Sequence, residues 1–140
     1  MNKIKALVLM TVFIDIVGVG VIIPVLPYYI KSFGTSDVVV TLLVAVFALL
    51  SFVSAPMLGT LSDKIGRRPV LIGSIISTSI GWLIFAWAPS VIWLFIGRII
   101  DGLAAGNITT AQSSMADISP DDKTRASNMG LIGALFGIGF

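Results

Sequence analysis

Three charged residues, Asp15, Arg98 and Asp101, fall inside long apolar runs. A charge at the centre of a membrane helix costs roughly 2.5–3.5 kcal/mol even on a lenient insertion scale. Such groups persist where they face a protein interior, pair with one another or meet water. Their chemistry is bounded by what the chain lacks. There is no Cys and no His, and the seven acidic residues are all Asp. Within these residues that excludes disulfides, thiolate metal sites and imidazole relays. Neither a catalytic residue nor a metal site is expected, and a proton carried at membrane depth in this segment must ride on an Asp. Arg98 and Asp101 are three apart, on one helix face, and are expected to pair. Asp15 is then the acid left to take up and release a proton, with the two acids titrating as a coupled unit. The alternative is a static cluster of all three that holds two spans together.

The elements that position these residues follow from hydropathy. Hydrophobic residues make up 56% of the chain, charged residues 11%, and the mean hydropathy is +1.05. A soluble domain carries about 25% charged residues, so the composition implies an all-α integral membrane protein. Five apolar segments are expected, at 6–30, 39–61, 70–88, 91–118 and 126–140. The last is too short at about 1.5 Å per residue to cross a bilayer, so the sequence is expected to be part of a longer polypeptide. Lys3 and Lys5 before an apolar run resemble a signal peptide, but Asp15 interrupts it and no small-residue cleavage site follows. An uncleaved first span is expected.

Depth supports a meeting of charges. Asp15 lies about 13 Å into span 1 and Asp101 about 15 Å into span 4 from the opposite side, both near the midplane. At 100° per residue Arg98, Asp101, Gly102, Ala105, Thr109, Gln112, Ser113 and Ala116 share one face of span 4. A packing face built on Gly102 and Gly106 needs no such charges, whereas a pathway for ions or polar solutes does. The expected pathway residues are Asp15, Arg98, Asp101, Thr109 and Gln112. Span 1 is expected to be broken or kinked at Pro24 and Pro27 and loosened by Gly18 and Gly20, as transporter helices are near binding sites.

Loop charge sets the orientation. Lys3, Lys5, Lys64, Arg67, Arg68, Lys123 and Arg125 fall on one side and Lys31 alone on the other. The N-terminus and the 62–69 turn are therefore expected to be cytoplasmic. Asp63, Lys64, Arg67 and Arg68 crowd into that turn, framed by Gly59 and Gly66.

That turn, Gly59-Thr-Leu-Ser-Asp63-Lys64-Ile-Gly66-Arg67-Arg68, resembles the signature of the major facilitator superfamily, G-x-x-x-D-[RK]-x-G-[RK]-[RK]. "DIVGVGVIIPVLP" in span 1, "GRIIDGLAAG" in span 4 and "MADISPDDKTRA" after it are similar to further segments of that family. The likeness is to its proton-coupled drug antiporters of the tetracycline-efflux type. Two departures stand out: Ser79-Ile80-Gly81-Trp82 occupies the part of span 3 where those exporters often have an Asp, and Asp101 stands where they usually have a small residue or Gln.

The resemblance implies the N-terminal part of a twelve-span fold of two six-helix halves, with the C-terminal half missing. It implies secondary active efflux of small organic molecules, driven by the proton gradient with no other cofactor. In the family the acid matching Asp63 caps a helix of the opposite half. The base matching Arg67 bridges to an acid at the end of span 4, here Asp117. Gly59, Asp63, Lys64, Gly66, Arg67, Arg68 and Asp117 would then form a conformational latch. The partners implied are a small-molecule substrate and the lipid bilayer, with no nucleic acid. A multi-pass protein of the cytoplasmic membrane is expected, monomeric at full length. The alternatives are an uptake symporter for sugars or other solutes, a four-span dimeric exporter using Asp15, and a lipid-headgroup transferase half-matched by "DGLAAG".

Overall fold

In lipid, a backbone must close its hydrogen bonds within each span, and the helix does so. The computed structural model, which describes residues 3–139, is helical almost throughout. Its elements are α1 (Lys3–Lys31), α2 (Asp37–Ile65), α3 (Arg67–Ala86), α4 (Val91–Leu103), α5 (Asn107–Asp117) and α6 (Asp122–Gly139). Four segments of the described chain are long and apolar enough to cross a membrane: α1, α2, α3 and the α4–α5 pair. Phe140, the end of the fifth expected segment, lies outside the described residues.

The reversals between helices use few residues. Gly34 (φ 71°) takes the left-handed conformation that ends α1, and its N–H donates to the Lys31 carbonyl at 2.9 Å. Gly66 (φ 98°) alone separates α2 from α3. The expected 62–69 loop is thus not a loop. Asp63 and Lys64 are in the last turn of α2, and Arg67 and Arg68 are in the first turn of α3. Polar helix ends can extend past the apolar core into the interface, and a residue free to adopt positive φ makes the reversal in one step. At the start of α6 the Thr124 N–H donates to the Asp121 carboxylate at 2.6 Å, which holds the Asp121 carboxyl below its ordinary range.

Two apolar clusters hold the bundle. One joins α1, α5 and α6 through Val8, Val12, Ile16, Ala111, Met115 and Ile132. The other joins α1, α2, α3 and α4 through Leu26, Ile30, Leu43, Phe85 and Leu94. The fourth span is divided between them: α4 belongs to the second and α5 to the first.

That span is not continuous. α4 stops at Leu103 and α5 begins at Asn107, with the Ala104 and Ala105 N–H groups turning back to Asp101 and Gly102 carbonyls three residues away. The Ser54 hydroxyl of α2 donates to the Gly102 carbonyl at 2.8 Å, satisfying an acceptor beside the break. The discontinuity expected in span 1 is absent: α1 is helical through Pro24 and Pro27. Each proline removes one N–H donor. Both lie near the end of the helix, where Leu26 and Ile30 are packed into the second cluster. Gly18 has open space where a side chain would go, so no close packing requires a glycine there.

Close approach sets the α3–α4 crossing. A Cβ on Gly81 would lie 2.9 Å from the Gly97 carbonyl oxygen, and one on Gly97 would lie 2.8 Å from that of Gly81. Gly102 meets α2 in the same way, at Leu50 and Phe47.

Candidate functional site

The α3–α4 crossing positions Arg98. Its guanidinium carbon lies 5.3 Å from the ring centre of Phe47, 4.9 Å from Trp82 and 5.0 Å from Phe85. Its Nη1 is 3.5 Å from Asp101 Oδ2, and both residues are only 7% exposed. Aromatic faces carry negative charge and attract a cation strongly where water is excluded. Three rings from two neighbouring helices therefore supplement one long ion pair. The Thr78 side chain of α3 lies beside the Asp101 carboxylate.

Asp15 stands apart from this group. Its carboxylate faces the side chain of Asn107, the first residue of α5. Among the described residues, Asp15 Oδ2 and Asn107 Oδ1 are both buried without a hydrogen-bond partner, as is the Thr110 hydroxyl one turn further along. Asp101 lies within electrostatic reach of Asp15, but no ion pair joins Asp15 to Arg98 among the described residues. The three charges do not form a single salt-bridged cluster.

The expected polar residues of span 4 differ in burial. Arg98, Asp101 and Gly102 on α4 are buried, while Gln112 on α5 is exposed. Thr109 is half-buried, its methyl near Gly59 of α2.

At the opposite end of the bundle from Gly34, Arg67 is a hub. Its Nη1 lies 2.6 Å from Asp63 Oδ1 and its Nε 2.8 Å from Asp117 Oδ2. Nη1 also donates to the Ser62 hydroxyl at 2.5 Å, and that hydroxyl donates to the Gly59 carbonyl at 2.7 Å. Ser62 and Asp63 of the 59–68 segment and Asp117 at the end of α5 thus meet at one guanidinium, whose planar fork suits several acceptors at once. Lys64 and Arg68 are exposed and make no ion pair among the described residues.

Sequence reasoning missed Asn107, Ser54, Ser62, Thr78 and the aromatic cage. For Asn107 a signal was present: an amide placed mid-span directly after Gly106. The cage left none, since Phe47, Trp82 and Phe85 read as ordinary apolar span residues.

The same arrangement of helices occurs in the crystal structure of the human organic anion transporter MFSD10 (TETRAN). The TM-score is 0.86 over 99% of this chain and 39% of that one, at 23% identity. In sequence the chain is 40% identical to the class C tetracycline resistance protein of Escherichia coli, over 99% of this chain and 35% of that protein. It is 35% identical to the quinolone resistance protein NorA of Staphylococcus aureus, over 100% of this chain and 36% of that protein. The chain thus spans about a third of the length of these relatives. Residues 8–140 match the sequence model of the Major Facilitator Superfamily, and with four membrane-length helical segments in that family's arrangement the chain belongs to this superfamily.

Proposed function

We propose that the chain is the N-terminal part of a secondary active transporter that exports small organic molecules in exchange for protons by alternating access. Asp15 carries this reading: a carboxylate at membrane depth with no cation paired to it among the described residues, while Arg98 lies against Asp101 and three rings. An acid left alone in an apolar span is suited to binding and releasing a proton. Relatives named for resistance to tetracyclines and quinolones support efflux as the direction and drugs as the substrate class.

In this reading the end bearing Gly66 and most of the basic residues faces the cytoplasm of a cell bounded by the cytoplasmic membrane. The Arg67 hub acts as a latch that is made and broken as access alternates, with Asp63 shared between Arg67 and the opposite half of the transporter. Thr109 and Gln112 line the route from α5. The proton gradient is the sole energy source, the working unit is a monomer, and no covalent chemistry is done on the substrate.

The test uses the whole transporter in inverted membrane vesicles with an acidified lumen. Adding a tetracycline should make the lumen more alkaline as drug enters and protons leave. Drug uptake into the lumen that is indifferent to the proton gradient would overturn the antiport reading.

A further inference from the structure

The break in the fourth span places a particular group against Asp15. Asn107 is the first residue of α5, is only 6% exposed, and has its amide against the Asp15 carboxylate. The two side chains share a deficit: among the described residues, each presents a buried oxygen, Asp15 Oδ2 and Asn107 Oδ1, with no hydrogen-bond partner. Buried acceptors without donors are costly, and buried polar groups are nearly always paired. A single hydrogen between these two oxygens would satisfy both.

We propose that Asn107 completes the proton site of Asp15 by forming a cyclic acid–amide pair with it. In the protonated state Asp15 Oδ2–H donates to Asn107 Oδ1, while Asn107 Nδ2–H donates to the other carboxylate oxygen. The proton comes from water on the side to which the site is open, forming the Oδ2–H bond. It returns to water when that bond breaks on the other side. An amide can accept from the acid and donate to the carboxylate, so it serves both protonation states without carrying charge. Asn107 is a positioning residue here: it orients the acid and holds the neutral form. The inference rests on the reading of Asp15 as the proton carrier.

The surroundings favour a proton over an exchange of ion pairs. Among the described residues, Asp101 is the charged group within electrostatic reach of Asp15, and its own cation is Arg98. The charges of α2 (Asp37, Asp63 and Lys64) lie at its two ends, and those of α6 (Asp122, Lys123 and Arg125) in its first turn. Asp117 of α5 is bound to Arg67 at the far end of that helix. No cation from these elements is placed to neutralise Asp15.

The test is an infrared pH titration of the whole transporter in lipid bilayers. A carboxylic-acid C=O band that disappears in Asp15→Leu identifies protonated Asp15. In Asn107→Leu, with helix content checked by circular dichroism, that band should move to higher frequency, as a C=O does when its acid loses hydrogen bonds. A second measurement needs no Asn107 variant. With carbon-13 in the asparagine side chains, one amide C=O band should shift in step with the Asp15 acid band, and that shift should vanish in Asp15→Leu. An Asp15 acid band that is unmoved by Asn107→Leu, or an amide band that ignores the titration, overturns the pairing and leaves Asp15 as carrier intact. The absence of any Asp15 acid band over the pH range in which the chain stays helical defeats the carrier reading as well.

Discussion

Arg67 Nε and Asp117 Oδ2 are 2.8 Å apart, joining the first residue of α3 to the last residue of α5. Asp63 reaches the same guanidinium from the last turn of α2. Both acids are more than half exposed, so each pair contributes at most about 1 kcal/mol to stability. A contact that stabilises so little is easily made and broken, as a latch requires. In the whole transporter, Asp63→Asn is expected to cut transport severely while leaving substrate affinity and melting temperature nearly unchanged. Equilibrium binding measured beside transport checks this; affinity falling in parallel with transport would place Asp63 in the binding site instead.

The glycine crossings give a sharper stability expectation. Gly81→Ala drives a methyl into the Gly97 carbonyl, where backbone cannot yield, and is expected to cost about 1–3 kcal/mol. Gly73→Ala, in the same helix with open space at that position, is expected to be neutral or slightly stabilising. Denaturant unfolding of the two variants in matched detergent checks the contrast, and equal effects would mean that α3 and α4 do not cross at Gly81 and Gly97.

Asp101→Asn removes the anion beside a buried guanidinium, a change that typically costs about 3–5 kcal/mol. The double variant Arg98→Leu with Asp101→Leu is expected to be more stable than Asp101→Asn alone, because no lone charge remains. Melting temperatures of the three proteins decide it. If Asp101→Asn melts like the parent, the three rings alone neutralise Arg98.

Much of this architecture could be read from the chain itself. The apolar runs gave the helices, and the crowded charges around Gly66 gave the Arg67–Asp117 contact through the family resemblance. The fourth span defeated the reading for a physical reason. Helical periodicity assumes an unbroken helix, and "LAAGN" contains no proline to announce a stop. Its ending depends on tertiary contacts: Gly102 and Gly106 are pressed against α2, and Ser54 satisfies the Gly102 carbonyl. Pro24 and Pro27 argued for a break, yet α1 stays helical through both, with Leu26 and Ile30 packed into the second cluster.

The cap of α6 carries a pH dependence with a definite sign. Asp121 titrates below its ordinary range because its carboxylate accepts the Thr124 N–H. The stabilisation is full above the unfolded-state value and is lost as pH falls through the lower folded-state value. Fraying of the first turn of α6 in acid, followed by amide hydrogen exchange at Thr124, should appear in the parent and be absent in Asp121→Asn, which keeps a capping oxygen but cannot titrate. Identical acid fraying in both would assign the effect to another group.

The central claim is that Asp15 carries the proton and does not hold the substrate. The most direct measurement compares proton-driven transport with substrate counterflow in the whole transporter bearing Asp15→Asn. The account predicts that proton-driven transport is abolished while exchange of labelled for unlabelled substrate continues at the parental rate. Loss of exchange in a variant that remains folded would contradict it and make Asp15 a substrate-binding or structural residue.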